Sequence, residues 1–94
     1  MYRIEQSRQY LLSYKVCQQK YHADIVALDQ VVLILASGHK LNHKYRDHAL
    51  HGPWSNFREC HIVEVSDDWL LIYAVVGSIL YLVDTGSHAE LFDD

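Results

Sequence analysis

The stretch from Trp69 to Asp84 reads WLLIYAVVGSILYLVD, and how it is interpreted decides the fold. As a single helix it would be a membrane span. As two strands and a turn it would be the middle of a sheet. Its apolar run ends at Val83 and is broken by Gly77-Ser78, so it falls short of the roughly 20 residues that cross a bilayer as a helix. Gly-Ser between β-branched and aromatic runs is a hairpin turn instead. Residues 69–76 are apolar at odd and even positions alike, which suits a strand covered on both faces and places it at the sheet centre. Residues 79–84 are then its antiparallel partner.

Working outward, residues 57–65 form another strand-like run, joined to the central one through a turn at Ser66-Asp67. Alternation along it puts Cys60 and Ile62 on one side and His61 and Val63 on the other. Residues 39–56, HKLNHKYRDHALHGPWSN, show no clean period and carry Gly52-Pro53, so they read as an extended connection with a turn. Before them, Asp24 is placed to cap a helix whose Ile25, Leu28, Val32 and Leu35 recur at i, i+3, i+4 spacing, with Gly38 at the position that ends it. Val31, Val32 and Ile34 would permit a strand there, but the length favours a helix. A first helix starts from Ser7 as N-cap, runs through Tyr10, Tyr14, Cys17 and Tyr21, and ends near Lys20. MYRIEQ alternates as a short, half-exposed strand. The predicted architecture is α+β: a strand, an αα-hairpin, then an antiparallel three-strand meander with the helices on one sheet face.

Ninety-four residues at 50% hydrophobic content bound one domain, 1–94. Cys17 and Cys60 have no CxxC spacing, which suggests neither a disulfide framework nor a zinc ribbon and fits a reducing cytoplasm. No export signal opens the chain, so a soluble cytoplasmic protein with no membrane association is expected. The net charge of −4 divides unevenly: all eight Lys and Arg lie in residues 1–58, and eight of the twelve acids lie in residues 59–94. Overall charge therefore does not announce a nucleic-acid partner, although Lys40, Lys44, Arg46 and Arg58 make the middle locally basic.

That middle holds His39, His43, His48 and His51. Their spacing matches no zinc pattern, and His39, His43 and His51 read as a solvated loop, so no metal is expected. His48 differs because of what surrounds it. KYRDHALHGPW, followed by FRECHI, DWLLIY and TGSHAELF, resembles the C-terminal half of YafQ-type toxins of the RelE/ParE superfamily, from about Lys44 to Phe92. The intervening VEVSD is longer than the corresponding family step, and the first helix carries only Lys15 and Lys20 where the family is lysine-rich.

The resemblance implies a type II toxin–antitoxin toxin: a ribosome-dependent endoribonuclease that cuts mRNA in the A site, stops translation and is silenced by a cognate antitoxin in a hetero-oligomer. It implies His48, His61 and His88 as catalytic histidines, Asp68 as the acid with Asp67 as the alternative, Trp69 as its aromatic neighbour, and Phe92 as the terminal aromatic. The chemistry agrees. Metal-free RNA cleavage needs a base for the 2′-OH, an acid for the departing 5′-oxygen and cationic donors, and histidine serves both proton steps near neutral pH. Lys44, Arg46 and Arg58 would serve as donors, with strand alternation setting Arg58 opposite His61; Phe92 or Trp54 would stack on a splayed base. No cofactor is required. Each assignment has a plain structural counterpart: Trp69 as core, Arg58–Glu59 as a surface pair, Asp68 as a hairpin residue, and His61 and His88 as polar caps. The competing function is a superfamily member without nuclease activity that acts by binding gyrase or its antitoxin.

Overall fold

The computed structural model describes residues 1–92. Its elements in chain order are β1 (Arg3–Gln6), α1 (Arg8–Tyr21), α2 (Val26–Ala36), β2 (His48–Ala49), β3 (Arg58–His61), β4 (Leu70–Val76), β5 (Ile79–Gly86) and α3 (His88–Phe92). They form a five-stranded sheet of order β1-β5-β4-β3-β2. The apolar run Leu70–Val76 is its central strand, as its two-faced pattern predicts. β1 pairs parallel with β5, and every other neighbour is antiparallel.

Both long helices have the expected bounds to within a few residues. Ser7 caps α1 by accepting the Tyr10 N–H at 2.9 Å. Gly38, at φ +82°, follows the last turn of α2 in the left-handed conformation that glycine tolerates best. One start differs: a 3₁₀ turn, His22–Ile25, precedes α2, and Asp24 makes no side-chain cap there. The helices cover one sheet face. Tyr10 and Cys17 of α1, with Leu28, Val31 and Leu35 of α2, pack on Leu71, Tyr73, Leu80 and Leu82. Trp69 is fully buried, stacks on Tyr21 at 4.0 Å between ring centroids, and donates its indole N–H to Thr85 Oγ1 at 3.0 Å. It is therefore a core residue.

The meander corrects two expectations. The first strand ends at His61 instead of continuing to Val65, because the Ile62 carbonyl turns back to accept the N–H groups of Val65 and Ser66. The loop 62–69 is consequently wider than a two-residue hairpin. The irregular tract also contains a strand, β2, in which His48 lies opposite Glu59 and Ala49 opposite Arg58. Two residues are too few for any hydrophobic period to reveal them. Among the described residues no helix is long and apolar enough to cross a membrane.

Candidate active site on the open sheet face

Cross-strand pairing assembles the site. His48 on β2, Glu59 on β3 and Ile72 on β4 are successive partners across the sheet, so their side chains share the face that the helices leave open. His61, two residues beyond Glu59, points the same way. Glu59 Oε2 lies 3.0 Å from His48 Nε2 and 3.5 Å from His61 Nε2. The Glu59 side chain is only 4% exposed, against 11% for His61 and 49% for His48. A buried carboxylate thus holds two imidazoles, one covered and one facing out. His48 Nδ1 also lies 3.1 Å from the Ala49 carbonyl, so both ring nitrogens face an acceptor.

His61 Nδ1 meets two groups with opposite demands: the Arg46 guanidinium at 3.0 Å, which can only donate, and the Asp67 carbonyl at 2.9 Å, which can only accept. Either partner keeps Nε2 turned toward Glu59. Arg46 is also paired with the Asp67 carboxylate. Asp67 therefore serves the Arg46–His61 side of the site, whereas Asp68 serves His88, accepting its backbone N–H at 3.1 Å.

His88 opens α3 and is itself half exposed. Ser87 and Glu90 fix this short helix by reciprocal capping: the Ser87 N–H donates to Glu90 Oε1 at 2.8 Å, and the Glu90 N–H donates to Ser87 Oγ at 3.2 Å. The Ser87 bond holds the Glu90 carboxyl below the usual carboxylate range. Gly86 is required just before it, since a Cβ there would sit 3.1 Å from Glu90 Oε1 at a φ of +155°. One turn on, Phe92 lies 5.5 Å from the His88 ring and meets Trp54 edge-on at 6.4 Å.

His48, Glu59, His88, Trp54 and Phe92 line one shallow cleft of about 280 Å³. His61 lies behind it, joined through Glu59. Lys44 and Arg58 lie elsewhere. Lys44 pairs with Glu64 at 2.9 Å. Arg58 donates to both oxygens of Asp47 at 3.3 Å, and that bond raises its pKa further. The anticipated Arg58–Glu59 pair does not form, because consecutive strand residues point to opposite faces. Glu59 is the residue the sequence reading missed; the one available signal was that it shares His61's alternation phase in RECH.

His48, Glu59 and His61 also form the one set of three potential metal ligands among the described residues, with ligand atoms within 4.8 Å of one another. Two imidazole nitrogens and a carboxylate oxygen suit zinc or copper.

A family model described as the bacterial toxin of type II toxin–antitoxin systems, YafQ, matches residues 2–93. The mRNA interferase toxin YafQ of Escherichia coli K12 is 37% identical over 90 residues, which cover 95% of this chain and 94% of that one. Among solved structures, the E. coli DinJ–YafQ complex superposes with a TM-score of 0.84 at 33% identity, covering 98% of this chain and 99% of the other. A metal-bound toxin from Helicobacter pylori gives 0.85 at 39% identity, covering 98% and 100%. With a family match that spans nearly the whole sequence and a fold shared throughout, this chain belongs to the YafQ family of bacterial type II toxin–antitoxin toxins.

Proposed function

We propose that the protein is an mRNA interferase that cuts RNA on the translating ribosome by histidine acid–base chemistry, and that a cognate antitoxin silences it in the cytoplasm. The observation that carries this reading is the cleft in which two half-exposed imidazoles, His48 and His88, face the same space beside Trp54 and Phe92. In the reaction, one imidazole takes the proton of the 2′-OH as its oxygen attacks the adjacent phosphorus, and the other protonates the departing 5′-oxygen. The products are a 2′,3′-cyclic phosphate and a free 5′-OH. Each proton transfer contributes about 10²–10⁴-fold. Glu59 orients His48, His61 backs that contact, and Arg46 supplies positive charge behind them. Asp68 holds the N-terminus of α3, so its contribution is to position His88. Lys44 and Arg58, off the cleft and paired with Glu64 and Asp47, contact only RNA backbone that extends beyond it, and Phe92 or Trp54 stacks on an unpaired base.

Primer extension on an mRNA in a purified translation system tests this reading. Cuts should appear only when ribosomes translate, and His88→Gln should lose at least about 100-fold of them while melting like the parent. Equal cutting of naked RNA would refute ribosome dependence, and full activity in the variant would reduce His88 to a cap.

The ligand set formed by His48, Glu59 and His61 supports a second reading, in which the protein takes up a metal ion as its H. pylori relative does. A bound ion would occupy the His48 nitrogen that faces Glu59 and so compete with proton transfer. Added zinc should then inhibit cleavage and a chelator restore it; cleavage that requires zinc would reverse the ranking of the two readings.

A further inference from the structure

A second hollow adjoins the catalytic cleft, and the two share a wall made by Trp54 and Phe92. Its volume is about 280 Å³, and its sides are Ile72, Val83 and Leu91 besides the two aromatics. That is just below the roughly 300–1,000 Å³ of pockets for drug-sized ligands, and it suits a single heterocycle. Asp84 is the only charged side chain lining it. Asp84 Oδ1 accepts the Thr85 N–H at 2.8 Å, while Oδ2 has no hydrogen-bond or ionic partner among the described residues. Of the other polar side chains lining it, Ser7 donates its hydroxyl to the Val83 carbonyl at 2.6 Å, and Gln9 donates from Nε2 to Ser13 at 3.1 Å.

We infer that this hollow is a base-reading subsite, in which a nucleotide next to the scissile phosphate inserts its base between Trp54, Phe92 and the sheet and offers an exocyclic amino group to Asp84. The inference rests on the proposed RNA cleavage at the adjoining cleft, and the shared wall carries it: a strand lying across His48 and His88 has its next base at the Trp54–Phe92 edge. Flat apolar sides accept the π-face of any base. A lone carboxylate repels phosphate, so the group it faces must be a donor. Adenine, cytosine and guanine carry such an amino group, whereas the one base-edge donor of uracil, its ring N3–H, is flanked by two carbonyl oxygens that the carboxylate repels, so the subsite selects against uracil. One hydrogen bond to a charged acceptor is worth about tenfold in that choice.

The test uses the full chain in two assays. In the first, translated mRNAs differing by one nucleotide beside a mapped cut are compared as amino-bearing base against uracil. The parent should prefer the amino-bearing base by about tenfold. Asp84→Asn, checked for an unchanged melting curve, should lose that ratio, and Val83→Phe, which fills the hollow, should depress cutting at every base. In the second, methyl NMR signals of Ile72, Val83 and Leu91 are followed while adenosine 3′-monophosphate or uridine 3′-monophosphate is added. Adenosine 3′-monophosphate should shift them more, and Asp84→Asn should abolish the difference. Because this arm needs no cleavage, such shifts in a protein whose cutting survives His88→Gln would support the subsite while the acid–base chemistry fell. An unchanged ratio in Asp84→Asn together with parental cutting by Val83→Phe would overturn the inference. So would methyl shifts produced by an antitoxin peptide and by neither nucleotide, which would give the hollow to the antitoxin.

Discussion

Glu59→Gln separates positioning from packing most cleanly. The substitution keeps the side chain's shape, removes its charge and replaces one carboxylate oxygen with an amide NH₂. The remaining carbonyl oxygen can accept from His48 or His61 but no longer anchors both, as Oε2 does now at 3.0 and 3.5 Å. A hydrogen bond to a charged group contributes about 1.5–3 kcal/mol. At 1.36 kcal/mol per tenfold in rate, losing the hold on His48 should slow cleavage by about 10- to 150-fold. The amide still makes a neutral hydrogen bond of about 1 kcal/mol, which offsets part of the loss, so Tm should fall by about 4–8 °C, roughly what 1 kcal/mol does to a domain of this size. The assay is primer extension over a time course on translating ribosomes, with a melting curve on the same preparation. Cleavage at the parental rate would refute the role given to Glu59, and a large fall in Tm with proportionate loss of activity would make it a structural residue.

Three further outcomes are expected. The depressed Glu90 carboxyl contributes stability that is fully present above its unfolded pKa of about 4.3 and is lost as pH falls through the lower folded value, so α3 should loosen in acid; amide exchange across residues 88–92 should show this, and Glu90→Gln should flatten the pH dependence. Trp69→Ala removes a fully buried indole and its bond to Thr85, and should cost about 3–5 kcal/mol in denaturant titration; a loss under 1 kcal/mol would contradict its place in the core. Cross-linking of the toxin–antitoxin complex should place the antitoxin on the open sheet face around His48, Trp54 and His88, and contacts confined to Arg8, Lys15 and Lys20 of α1 would exclude that arrangement.

The parts of the fold legible in the sequence are those whose signal is long or chemically distinctive. Gly77-Ser78 marks the β4–β5 hairpin, Ser7 and Gly38 punctuate the helices, and the two-faced run Leu70–Val76 declares itself central. β2 escaped because a strand of two residues has no period, and the end of β3 escaped because the turn at Ile62 is made by a backbone carbonyl without glycine or proline. At the site, the histidine motifs drew attention to His48, His61 and His88, but neither composition nor spacing could pair Glu59 with two of them. That contact depends on His48 lying opposite Glu59 in a pairing between residues eleven apart. The preceding Arg58 suggested a surface ion pair, and only the pleat turns the two away from each other.

Asp47, the residue before His48, is held by more than Arg58. Tyr73, on the central strand, also donates its hydroxyl to Asp47 Oδ1 at 2.6 Å; burial first, and then this bond, push the Tyr73 hydroxyl's pKa up. Beyond β2, the Leu50 N–H donates to the Phe57 carbonyl at 3.0 Å. The chain is therefore clamped on both sides of His48, and residues 51–56 hang from those clamps as a closed excursion. Lengthening a loop that is already closed costs little, about 0.6 kcal/mol per doubling. Insertions between His51 and Asn56 should thus be absorbed without moving the His48 ring. Trp54 sits within this segment, so changes there would alter how a base is held at the cleft while the His48–Glu59 pair stays in place.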